Sequence, residues 1–126
     1  MAAWTSDELN KIGTAEELQL ASLRGDGTLR KAVTIWVVRV GDDLYVRAYK
    51  GRTSPWFVGM QARHEGHVRA GGVEKDVTFS EVDGNAAVSD QIDAAYRAKY
   101  RQYAASIVGS VVTPEARTAT IRLVPR

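Results

Sequence analysis

The chain has 126 residues, 44% of them hydrophobic, with a net charge of +2 and no cysteine. That length suits a single domain, 1–126, with one core, and the missing thiols exclude disulfides, thiolate catalysis, iron–sulfur clusters and zinc knuckles. Scattered charges offer nucleic acid no basic patch, and no apolar run approaches the roughly 20 residues that span a bilayer.

The N-terminus, Met1-Ala2-Ala3-Trp4-Thr5, lacks the basic start and apolar run of a signal peptide, so a cytoplasmic location is expected. Thr5-Ser6-Asp7-Glu8 reads as a capping box, with Trp4 and Leu9 as a hydrophobic staple, and its helix should stop near Gly13. Thr14-Ala15-Glu16-Glu17 repeats the box pattern, but Leu18 to Leu23 reads as a strand. Gly25-Asp26-Gly27 is a turn; with Arg24 it spells an adhesion tripeptide, a match too short to carry function. Val33 to Val40 is dense in β-branched and aromatic residues and apolar on both faces, which predicts a central strand covered on each side. Gly41-Asp42-Asp43 turns the chain into Leu44 to Tyr49. There Leu44, Val46 and Ala48 face one way and Tyr45, Arg47 and Tyr49 the other, completing a hairpin.

Ser54-Pro55 opens a short helix, Ser as N-cap and Pro first, with Trp56, Phe57 and Met60 as its apolar stripe. Val68 to Ala70 and Val73 to Val82 are further strands. Gly71-Gly72 between them marks a bulge or, alternatively, a close approach to the backbone by something else. Ser89 or Asp90 caps the longest helix, which runs to about Ala104. Ile92, Tyr96, Tyr100 and Tyr103 share its core face rather than forming a cofactor platform, and Asp93 with Arg97 makes an i,i+4 pair. Thr118 to Val124 supplies a last strand. Five or six strands with inserted helices make an α+β domain around a small antiparallel barrel or curved sheet.

No protein-based catalytic set is evident. Both histidines fall in Arg63-His64-Glu65-Gly66-His67, whose spacing is not that of a helical zinc site, and the segment reads as a turn between helix and strand, with no metal expected. Tyr49-Lys50-Gly51-Arg52-Thr53-Ser54-Pro55 differs: two cations flank a glycine, followed by hydroxyls and a helix start. Unpaired N–H groups and charge-assisted bonds from Lys50 and Arg52 would suit a phosphate; a solvated basic loop is the alternative.

The order of these elements resembles the split-barrel flavin-binding superfamily, which includes pyridoxamine-phosphate oxidases and deazaflavin-dependent nitroreductases. Leu23 to Val33 is similar to its glycine-and-arginine turn, and Tyr45 to Arg52 to its phosphate-holding strand and loop. Ala32 stands where proline is usual, Lys50 and Arg52 replace an adjacent Arg-Lys pair, and Arg63-His64 replaces Asn-Pro. Ile35 to Val38, Gly71 to Val77 and Ile92 to Tyr100 resemble, over nearly the whole chain, a bacterial family known only as a domain of unknown function. The resemblance implies a small antiparallel split β-barrel with flanking helices, and an oxidoreductase-like homodimer binding FMN or deazaflavin at the subunit interface. Lys50 and Arg52, helped by Ser54 and Arg30, would hold the phosphate of this phosphate-bearing small molecule; Trp36, Tyr49 or Trp56 would line the ring. The rival reading, favoured by Ala32 and Arg63-His64, is a non-enzymatic module that binds another anionic ligand or serves a structural role.

Overall fold

A computed structural model describes residues 3–82 and 86–126. Helix α1 (Ser6–Thr14) opens on the expected capping box: Glu8 N–H donates to the Thr5 hydroxyl at 3.1 Å, and Thr5 N–H to the Glu8 carboxylate at 2.9 Å. Trp4 and Leu9 are buried in one cluster, and the Trp4 indole N–H donates to the Leu123 carbonyl at 2.9 Å. Strand β1 (Leu18–Ser22) follows as expected.

The run 33–40 departs from the reading as one central strand. It splits at Trp36 into β2 (Val33–Ile35) and β3 (Val37–Val40). With β4 (Asp43–Arg47), β5 (Glu65–Ala70), β6 (Val73–Val82) and β7 (Thr120–Pro125), the sheet order is β2-β1-β5-β6-β7-β4-β3, each pair antiparallel. The two halves of the run therefore occupy opposite edges of the sheet. Because they are consecutive in the chain, the sheet curls into a nearly closed seven-strand barrel with flanking helices. Closure leaves little free strand edge to aggregate.

The split has a physical cause in helix α3 (Ala86–Lys99) and the residue after it. The Trp36 carbonyl accepts from the Tyr96 hydroxyl at 3.4 Å and the Val37 carbonyl from Lys99 Nζ at 2.5 Å, while Val37 N–H donates to the Tyr100 hydroxyl at 3.3 Å. Side chains satisfy the Trp36 carbonyl and both main-chain groups of Val37 at the break, where strand pairing no longer can. The hairpin β3–β4 forms, with Val37 opposite Val46 and Val38 opposite Tyr45, but its second strand stops at Arg47, two residues short of the expected Tyr49. One of its faces supplies Val37, Leu44 and Val46 to the barrel core with Phe57, Phe79 and Leu123; the other packs Val38 and Tyr45 against Ile92, Tyr96 and Tyr100. The tyrosine stripe is thus core, with Tyr103 half-buried at its end.

Three further expectations are corrected. Gly71-Gly72 is a two-residue hairpin turn and not a bulge, with φ of 58° and 84°, the backbone that matches strand twist. The close-approach alternative holds at Gly71, where a Cβ would stand 2.3 Å from the Lys11 carbonyl oxygen. Helix α3 begins at Ala86, so Ser89 and Asp90 lie within it, and residues 83–85, just ahead of it, lie outside the described residues. It ends at Lys99 rather than near Ala104, and two short helices that the sequence did not announce, α4 (Ala105–Gly109) and α5 (Pro114–Thr118), follow. Asp93 does not pair with Arg97; it turns inward to Arg47. No described helix is long and apolar enough to cross a membrane.

Candidate functional site

Strand β4 ends at Arg47, and the chain tightens through a 3-10 turn (Gly51–Thr53) into helix α2 (Pro55–Met60). Gly51, at φ 81°, makes this corner possible, its N–H donating to the Ala48 carbonyl at 2.8 Å. Ser54 takes the N-cap position with Pro55 first in the helix, as the sequence predicts, but its hydroxyl makes no capping bond. Phe57 and Met60 anchor α2 in the core, while Trp56 stays half-buried.

This corner, the β2–β3 break and α4 enclose a mainly apolar cleft of about 660 Å³. Its walls include Val33, Ile35 and Trp36 from the break, Tyr49, Lys50, Ser54 and Trp56 from the corner, and Ser106, Ile107 and Ser110 from α4 and its end. Glu17 and Arg47 also line it. Of the residues singled out in the sequence, Trp36, Tyr49, Lys50, Ser54 and Trp56 are therefore brought together. Arg52 and Arg30 are not.

Arg52 lies behind the loop: Nη2 pairs with Glu81 at 3.3 Å, Nη1 donates to the Thr118 carbonyl at 3.2 Å, and the guanidinium sits over the Phe57 ring. Arg30 packs on Gly59, where a Cβ would stand 2.9 Å from its Nε, and that Nε is buried without a hydrogen-bond partner. Lys50 is exposed beside the Tyr49 ring and has no carboxylate partner among the described residues. The Ser54 hydroxyl is likewise unbonded. A free ammonium and a free hydroxyl on the cleft wall are the groups that a phosphate monoester or carboxylate would engage.

Arg47 was not singled out in the sequence. Its side chain is fully buried, with Nε donating to the Thr120 hydroxyl at 3.0 Å, Nη1 to Asp93 and to the Val111 carbonyl at 2.9 Å, and Nη2 to the Ser89 carbonyl at 3.2 Å. Arg117 approaches the other Asp93 oxygen at 3.8 Å. Four of its five N–H donors are engaged and its charge is paired with Asp93, so Arg47 is a rigid floor and not a free anion-binding group. The signal for it was the alternation of β4, which put Arg47 on the Tyr45 face that α3 covers, and Asp93 beside Ile92 on that helix. Ser106, Ile107 and Ser110 carried no signal. Arg39, Arg47 and Arg69 do not converge: Arg39 bonds Asn10 and the Gly41 carbonyl, and Arg69 is exposed on β5.

His64 lies in the expected turn, but Glu65, Gly66 and His67 already belong to β5, and neither histidine lines the cleft. His64, at φ 55°, donates to Glu81 at 2.7 Å and, with Arg52, holds that carboxyl below its usual pKa. His67 sits between Asp76 at 3.0 Å and Glu74 at 3.1 Å, and Asp76 first, then Glu74, raises its pKa. Among the described residues, no group of three or more potential ligands could hold a metal. Burial lowers the Lys99 ammonium to about 8 and pushes the Tyr100 phenol well above its usual value.

Residues 8–123 match a family model described as uncharacterized protein conserved in bacteria. No curated protein matches the chain. Among solved structures, the fold is similar to HutZ, a heme storage protein from Vibrio cholerae, with a TM-score of 0.70 and 12% identity over 96% of this chain and 89% of that one. It is also similar to an FAD-binding protein from Mesorhizobium loti, with a TM-score of 0.60 and 19% identity over 99% and 92%. An F420-H2 dependent reductase matches with a TM-score of 0.60 and 18% identity over 86% and 93%. These likenesses establish the split-barrel fold.

Proposed function

The chain belongs to the bacterial family DUF2255, and we propose that it is a split-barrel protein whose cleft holds a flavin-type cofactor, FMN or a deazaflavin, for oxidoreductase chemistry. One observation carries this reading: Trp36, Tyr49, Lys50, Ser54 and Trp56, singled out in the sequence, line one cleft, and Lys50 has no ion-pair partner among the described residues. The residues fit the group. A volume of about 660 Å³ lies within the range of small-molecule sites, apolar and aromatic walls suit a fused planar ring, and Lys50 with Ser54 suits a phosphate. The similar structures include proteins named for FAD and for F420-H2.

When bound, the cofactor supplies hydride transfer. Lys50 and Ser54 hold its phosphate, while Trp36, Tyr49 and Trp56 fix the ring plane and exclude water. Arg47 keeps the floor from collapsing, and Arg52 braces the loop from behind through Glu81 and Thr118. The predicted contribution of Arg52 and Arg30 to the phosphate gives way to that bracing role for Arg52. Tyr49 and Ile107, on the rim, are 56% and 49% exposed; a second copy seated there would cover them, which is the proposed homodimer.

The rival is a non-enzymatic module for another anionic ligand, such as a carboxylate. It is favoured by Glu17 on the same wall, whose charge opposes that of Lys50 and disfavours a dianion. Titration with FMN, a deazaflavin and a simple aromatic carboxylate separates the two. Tight binding of a flavin that is weakened about tenfold in Lys50→Ala supports the cofactor reading, whereas binding of the carboxylate alone overturns it.

A further inference from the structure

Trp36 does not stand alone in the cleft wall. Its ring stacks on Tyr100 with centroids 3.8 Å apart and planes 5° from parallel, and Tyr103 leans on it at 5.1 Å. Tyr100 and Tyr103 are 6.1 Å apart. At the far end the Tyr103 hydroxyl donates to the Glu16 carboxylate, while Tyr100 donates to the Glu16 main-chain carbonyl at 2.6 Å. Tyr103 also lines a second groove of about 420 Å³ together with Arg97 and Arg101. Neither arginine has an ion-pair partner among the described residues, the expected partner of Arg97 having turned to Arg47. A contiguous line of oxidisable rings thus leads from the cleft to a cationic groove.

We propose that Trp36, Tyr100 and Tyr103 form a path that carries one oxidising equivalent from the cleft to the Arg97–Arg101 groove, where an anionic one-electron reductant discharges it. For its oxidant the path rests on the cofactor reading, namely a photoexcited isoalloxazine ring in the cleft. Trp36 gives one electron to that oxidant, and Tyr103 refills Trp36, either across their direct contact or by way of Tyr100. As Tyr103 loses its electron, its phenolic proton passes along the existing hydrogen bond to Glu16. The reductant then returns one electron to Tyr103, Glu16 returns the proton, and the net change is one electron moved from reductant to oxidant. Tyr103 is the resting point because it alone of the three bonds a carboxylate that can take the proton. Tyr100 is a poorer one: the Lys99 ammonium lies 5.1 Å from its ring centroid and opposes positive charge there. Unpaired guanidiniums at the exit attract a small anion such as ascorbate, and salt screens that attraction.

The test needs no cofactor. Pulse radiolysis of the full chain with azide radicals oxidises indole rings, and the decay of indolyl radical into tyrosyl radical is followed by absorbance. The expected result is a first-order phase independent of protein concentration. It is absent in Trp36→Phe, slowed by an order of magnitude or more in Tyr103→Phe and Glu16→Gln, and unchanged in Trp56→Phe. Ascorbate then quenches the tyrosyl radical more slowly in Arg97→Ala/Arg101→Ala and at high salt. An undiminished phase in Trp36→Phe or Tyr103→Phe would overturn the path, and an unchanged ascorbate rate would overturn the groove as its exit. Failure of flavin binding leaves these readouts untouched, so the two ideas fail separately.

Discussion

Removing the carboxylate of Asp93 should be among the costliest single changes in the protein. Arg47 has a fully buried side chain, and Asp93 is its counter-charge, itself only 10% exposed. In Asp93→Ala the guanidinium keeps its bonds to Thr120, Val111 and Ser89 but loses that charge partner. Stranding a buried charge in this way costs about 3–5 kcal/mol, against a total stability of roughly 5–15 kcal/mol for a domain of this kind. The midpoint of thermal unfolding should fall by roughly 10 °C or more. Urea denaturation followed by far-UV circular dichroism gives the free energy directly. Arg47→Met/Asp93→Leu removes both charges and should recover stability to within about 1 kcal/mol of the parent. A loss in Asp93→Ala below about 1 kcal/mol, the scale of a solvated pair, would refute the reasoning and show that water reaches Arg47.

Other consequences are smaller or more local. Gly71→Ala should cost more than Gly72→Ala in the same denaturation assay: both pay a left-handed backbone cost of about 1–3 kcal/mol, but only at Gly71 does a Cβ collide with the Lys11 carbonyl, and equal losses would contradict the close approach. The folded-state pKa of His67 is raised, mainly by Asp76. Its stabilising contribution is therefore complete below the ordinary histidine value of about 6.5 and is lost as pH rises through the raised value. Stability measured across that window should fall with pH relative to His67→Gln, and parallel curves would remove the assigned cause. Lys50→Ala should weaken flavin binding by about tenfold, or 1.4 kcal/mol. Arg52→Ala should act mainly on stability, through its lost contacts to Glu81 and Thr118; the reverse ranking in calorimetry would return the phosphate to Arg52.

Much of the fold was legible because the elements carry their own local signals. The Thr5 box, the β3–β4 hairpin and the tyrosine face of α3 follow from capping and periodicity. The edge placement of Val33 to Val40 was not legible. An apolar run covered on both faces reads the same in the middle of an open sheet as at the seam of a closed barrel, and what splits it, Tyr96, Lys99 and Tyr100, lies some sixty residues away. The Asp93–Arg97 pair failed for a related reason: helical spacing permits it, but the buried Arg47 competes for the same carboxylate and has no other ion-pair partner among the described residues. In the site, Lys50 and Ser54 could be found because they flank a glycine corner and a helix start. Arg47, Ser106 and Ser110 could not, because each joins the cleft only through the docking of α3 or α4 on the barrel. Arg52 shows the limit of local pattern, since adjacency to Lys50 in the chain did not decide which side of the loop it occupies.

The measurement that bears most directly on the central claim is calorimetric titration of the purified chain with FMN and, separately, with a deazaflavin cofactor. The account predicts binding at micromolar affinity or tighter, about −8 kcal/mol, to at least one of them, weakened about tenfold on changing Lys50 to Ala. No detectable binding of either by the folded protein would contradict the cofactor reading and leave the cleft to a different anion.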